Sequence, residues 1–66
     1  MEVTLEQQIP ELLERARAHY RAGRFGAAAN DFGAVVALDP ANDEALGYLF
    51  MIDEIQNFRN TDLLNP

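Results

Sequence analysis

His19, the arginines Arg17 and Arg21, and the adjacent pair Asp53-Glu54 are the side chains in this sequence with the most obvious chemical potential. His19 is the single histidine, and imidazole is the group whose ordinary titration lies closest to neutral pH. It has no nucleophile to serve. The sequence contains neither cysteine nor serine, and its threonines, Thr4 and Thr61, lie in the terminal segments. Acid–base work by two carboxylates needs a pocket that raises one of them. Asp53 and Glu54 are neighbours, which on a helix point in different directions, so they read as a solvated edge. One histidine without cysteine does not assemble a zinc site, and no glycine-rich phosphate loop follows a strand. The expectation is a protein without catalysis, cofactor or metal.

Charge narrows the partners. Eleven acidic residues against five basic ones give a net charge of −6, and lysine is absent. Affinity for phosphate backbones comes from cationic side chains releasing counterions. Nucleic acid is therefore not expected as a partner, and an anionic membrane surface is disfavoured for the same reason. The apolar runs Gly33 to Leu38 and Tyr48 to Ile52 are too short to cross a bilayer. The N-terminus is acidic and lacks a signal-peptide core, which points to a cytoplasmic protein.

The elements that must position these groups are helices. Apolar residues at Leu5, Ile9, Leu12, Leu13, Ala16 and Tyr20 follow one helical face. Proline disfavours helical geometry in the residue before it. Pro10 therefore puts the main helix at about residues 10–22, with residues 4–9 a leading turn or a kinked extension. Gly23 is a left-handed stop. The second helix runs from Phe25 to Leu38 with a core face of Phe25, Ala28, Ala29, Phe32, Val35 and Val36. Asp39-Pro40 ends it. Asn42 then caps a third helix over residues 43–59, and residues 60–66 form a tail expected to be non-helical. The whole, residues 1–66, is one all-α domain. A chain of this size hides only about 60% of its unfolded surface, so association is a natural source of further stability.

Ile9 to Asn42 resembles a tetratricopeptide repeat, a helix pair of about 34 residues. Leu12 stands where the family has its early aromatic, and Ala16 occupies the small position that lets the helices approach. Ala18 and Tyr20 match the end of the first helix, Gly23 the turn and Phe25 the aromatic after it. Ala28-x-x-x-Phe32 is the second small-then-aromatic pair, and Leu38-Asp39-Pro40 with Asn42 closes the repeat. Arg15, His19 and Val35 depart from the pattern, and Phe50 stands where a further repeat would carry a small residue. The resemblance implies a TPR-like helical hairpin over 9–42, a C-terminal capping helix over 43–59, and a protein or peptide as partner. In the family that partner usually lies in a groove lined by the first helices.

Carried onto this chain, the groove would be lined by Leu13, Arg17 and Arg21 from the first helix and Tyr48, Met51 and Ile55 from the third. Arg17 and Arg21, one turn apart, are suited to a carboxylate, which guanidinium holds in a two-pronged fashion. The plainer alternative is that they serve the helix C-terminus and pair with Glu14 or the acidic third helix. Leu63 and Leu64 have the character to fold back and plug the groove.

The outward side of the second helix is made of small residues. Gly26, Asn30, Gly33 and Ala37 lie there, and a helix that is apolar or small all round is generally buried on more than one side. That predicts a homo-oligomer, a dimer or larger, with the second helices contributing to the contact. A competing reading, a helix-turn-helix-like nucleic-acid binder or regulator, would need basic residues on an exposed recognition helix. Here the arginines gather on the first helix instead.

Overall fold

A computed structural model describes the backbone of residues 5–64 and the side chains of residues 7–58. It contains three helices, α1 (Leu5–Arg21), α2 (Phe25–Leu38) and α3 (Asp43–Leu64), in chain order. No strand occurs among the described residues.

α1 and α2 form an antiparallel pair. Tyr20 meets Phe25 beside the turn, while Arg15 meets Asp31 further down. The turn is made as its residues require. Gly23 takes φ +79°, a conformation in which a side chain would collide with the backbone. The Arg24 N–H donates to the His19 carbonyl at 2.9 Å and the Gly23 N–H to the Tyr20 carbonyl at 3.0 Å. These two bonds satisfy carbonyls that the helix end would otherwise leave open.

The start of α1 lies earlier than residue 10, and of the two readings of the leading segment the helical extension is the one that agrees. The segment 5–9 does not form a separate turn: the helix runs through Pro10. Proline there removes one hydrogen bond to the preceding turn. The offset comes from burial, because Ile9, Leu12 and Leu13 all pack against the core. Fully buried, a side chain of this kind contributes roughly 1.5–3 kcal/mol, and the three partly buried ones together offset the bias against helix in the residue before proline.

α2 is the central element, packing against both α1 and α3. Its bounds are those expected from Phe25 and Asp39-Pro40. The Asp39 N–H closes on the Val35 carbonyl at 2.7 Å, and Asp39 Oδ1 accepts from the Ala41 N–H at 3.3 Å. Asn42 then caps α3: its Oδ1 accepts the Ala45 N–H at 2.9 Å.

The core is small. Among the described residues Ala16, Ala28, Phe32, Val35, Ala45 and Ile52 are buried, with Leu12, Tyr20, Phe25 and Tyr48 among those packed around them. Each helix supplies an alanine, which lets the backbones approach. Phe32 lies nearly parallel to Tyr48, ring centroids 4.4 Å apart, and Tyr20 meets Tyr48 edge-on at 5.0 Å.

The end of α3 is a correction. Residues 60–64, expected in a non-helical tail, continue the helix to Leu64. No glycine or proline interrupts the chain from Tyr48 to Leu64. Asn, Thr and Asp each disfavour helix by only about 0.7 kcal/mol or less, too little to end a helix already propagating. A fold-back of Leu63 and Leu64 would need a turn at residues 60–62, where the backbone is helical. The capping helix is thus longer than the 43–59 span expected.

Candidate functional site

α3 runs in the same direction as α1, since Glu44 lies by Arg17 and Tyr48 by Tyr20. Both helices sit on the shared support of α2, and the residues expected to line a groove fall on the two of them. They divide into two sets. Leu13 and Tyr48 are half-buried and belong to the core packing. Tyr48 in particular lies between Tyr20 and Phe32. Its ring braces α3 against both other helices, leaving less of it for a ligand.

Arg17 donates from Nη1 to Glu44 Oε2 at 2.6 Å. The pair is partly exposed, 37% and 38% for the two side chains, so it contributes little to stability. Its effect is spatial: it ties the last turns of α1 to the first turn of α3. Of the two anticipated carboxylate-binding arginines, one is therefore occupied by a carboxylate of the same chain. This is the plainer of the two readings for Arg17. Arg21 is exposed, and none of the ion pairs among the described residues reaches it. Met51 is 42% exposed and Ile55 is half-buried. The surface left open along α1 and α3 is thus an arginine at one edge and a Met51–Ile55 strip at the other.

On the opposite flank of α1, Arg15 reaches α2. Its Nε donates to Asp31 Oδ2 at 3.0 Å and its Nη2 to Oδ1 at 3.1 Å, a two-pronged pair. Asp31 hydrogen-bonds and attracts the guanidinium, raising the pKa of Arg15 above its ordinary value. His19 Nε2 lies 3.7 Å from the same carboxylate. The one histidine is thus placed beside an acid that Arg15 already holds, and among the described residues no polar or charged one is buried. Sequence periodicity did not point to this cluster. The signal was Asp31 itself, a lone charge in an otherwise uncharged helix.

The outward residues of α2 are placed as expected in part. Gly26, Asn30 and Ala37 are exposed, whereas Gly33 is half-buried. A Cβ added at Gly26 or Gly33 would meet nothing within 4 Å, so no close helix approach within the chain calls for either glycine. The small, apolar character of α2 has an internal account as well, because the helix is covered on two sides by α1 and α3.

A shallow surface depression lies along α1, lined by Gln8, Glu11, Leu12 and Arg15. Among the described residues, its lining comes from α1 alone. Among the described residues no group of three His, Cys, Asp or Glu side chains could hold a metal ion. No described helix is long and apolar enough to cross a membrane.

Comparison with protein-family models, with curated proteins and with solved structures finds no match in any of the three.

Proposed function

We propose that this chain is a non-enzymatic, tetratricopeptide-like protein-interaction module that takes a peptide along the α1–α3 surface. The observation that carries the reading is the pairing of α1 with α3 on the common support of α2, through Arg17–Glu44 and Tyr20–Tyr48. A repeat-type groove is built from first helices arranged in this way. Support also comes from the core, in which Ala16, Ala28 and Phe32 are buried with Leu12 and Phe25 packed against them. Two of the departures from the repeat pattern, Arg15 and His19, both face Asp31. Their replacement of apolar or aromatic residues is thus matched by an acid on the opposing helix.

Among the described residues, this surface leaves open to a ligand the exposed guanidinium of Arg21 at one edge and the Met51–Ile55 strip at the other. That combination suits a peptide whose carboxylate pairs with Arg21 while an apolar side chain lies on Met51, a residue that adapts to varied shapes. The test is a titration with short peptides of apolar sequence ending in a free carboxylate or in an amide. Tighter binding of the free acid is expected, with the difference abolished by Arg21→Gln and both affinities lowered by Met51→Ala. Equal binding of acid and amide by the wild-type chain would remove the carboxylate assignment. No binding of either would remove the groove.

A further inference from the structure

The outer face of α3, which lies away from the α1–α3 groove, carries a row of its own. Asp43, Leu46, Phe50 and Asp53 follow one another at spacings of three, four and three, which places them on one helical face over about 15 Å. Leu46 is 42% exposed and Phe50 67% exposed. Glu54, one turn beyond Phe50, adds a further acid. Gly47 sits between Asp43 and Phe50 on the same side, and a Cβ there would meet nothing within 4 Å. The result is two apolar side chains beside an open notch, with acids at both ends.

We propose that this face docks an amphipathic helix whose apolar ridge covers Leu46 and Phe50 and whose flanks carry lysine or arginine. Helices pack by setting the ridge of one into the groove of another, and Gly47 leaves that groove open where glycine is otherwise unfavourable in a helix interior. Charge selects the occupant. Among the described residues no ion pair reaches Asp43, Asp53 or Glu54, and from Asp43 to Phe58 the helix contains no basic residue. A second copy of this chain is the poorer fit. It brings the same acidic face and a net charge of −6, its Arg15 and Arg17 are already held by Asp31 and Glu44, and its exposed Arg21 and Arg24 stand at the α1–α2 turn, not along the flanks of an apolar helix face.

The experiment is a display selection of helical peptides that share two leucines one turn apart and have randomised flanking positions, with the wild-type chain as bait. Lysine and arginine should be enriched at the flanks. The best such peptide should bind Phe50→Ala roughly tenfold or more weakly. The combined variant Asp43→Asn, Asp53→Asn, Glu54→Gln should weaken it and flatten its salt dependence. Both variants alter exposed side chains, and coincident thermal melts with wild type establish that they fold. Acidic or random flanks, no enrichment, or indifference to both variants would overturn the proposal. So would a native mass of twice the chain at micromolar concentration that falls to one chain in Phe50→Ala, which would give the face to a second copy. Arg21→Gln leaves this face intact, so failure here and failure of the groove are read separately.

Discussion

Arg15 on α1 grips both carboxylate oxygens of Asp31 on α2, at 3.0 and 3.1 Å, although the two residues differ sharply in exposure, 63% against 14% for their side chains. The acid is the sheltered partner and the arginine the reachable one. Removing either therefore has unequal consequences. Asp31→Ala leaves Arg15 free to be hydrated, whereas Arg15→Ala leaves a largely sheltered carboxylate with His19 as its remaining neighbour. Urea unfolding should give a lower midpoint for Arg15→Ala than for Asp31→Ala. The raised pKa of Arg15 means that its contribution is fully present below the ordinary guanidinium value and is lost only above the raised one. Deprotonation of Arg15 therefore removes nothing between pH 5 and pH 9. A midpoint ordering opposite to that stated would show that the charge on Asp31 is stabilised elsewhere.

Phe32 is the largest fully buried side chain and stacks on Tyr48. Truncating a buried phenylalanine to alanine costs about 3–5 kcal/mol. Domains are commonly stable by only about 5–15 kcal/mol, and a core with six buried residues among those described places this one at the low end. Phe32→Ala should therefore abolish a cooperative thermal transition followed by circular dichroism. Tyr48→Phe keeps the ring and should melt within a few degrees of wild type. A cooperative, unshifted melt for Phe32→Ala would contradict the packing described.

Glycines at two positions should respond in opposite directions. Gly23→Ala forces a side chain into φ +79° at the α1–α2 turn and should destabilise by roughly 1–2 kcal/mol. Gly33→Ala places a methyl group in open space within a helix and should stabilise the isolated chain by up to about 1 kcal/mol. The Gly33 variant also bears on self-association through α2. If second copies meet there, the methyl group should weaken their association in sedimentation equilibrium even as it raises the stability of the single chain. An unchanged native mass together with a higher melting point would place Gly33 outside any contact between copies.

What the residues announced in advance were features decided within a few positions of chain. Phe25 to Leu38 emerges as a helix because its apolar period, its opening glycine turn and its closing Asp39-Pro40 are all local signals. The Asn42 cap and the left-handed Gly23 belong to the same class, as do Ala16 and Ala28 at the core. Helix ends weighted on propensity alone fared worse. Pro10 and Asn60-Thr61-Asp62 are weak breakers, and at Pro10 the packing of Ile9, Leu12 and Leu13 against the core outweighs the local preference.

For the candidate surface the division is sharper. Sequence spacing placed Leu13, Arg17, Arg21, Tyr48, Met51 and Ile55 on two helices, but a side chain's spacing does not determine what it touches. Whether Arg17 faces solvent or Glu44 depends on how far α3 is shifted along α1, and that shift is set by packing around Tyr48 and Phe32. The chain alone determined the helices and the faces that could be apolar, because periodicity and capping act over one or two turns. Only the tertiary structure decided which arginines are spent inside the molecule and which apolar residues, Phe50 above all, remain uncovered. Those outcomes depend on contacts between residues sixteen or more positions apart, which no local pattern records.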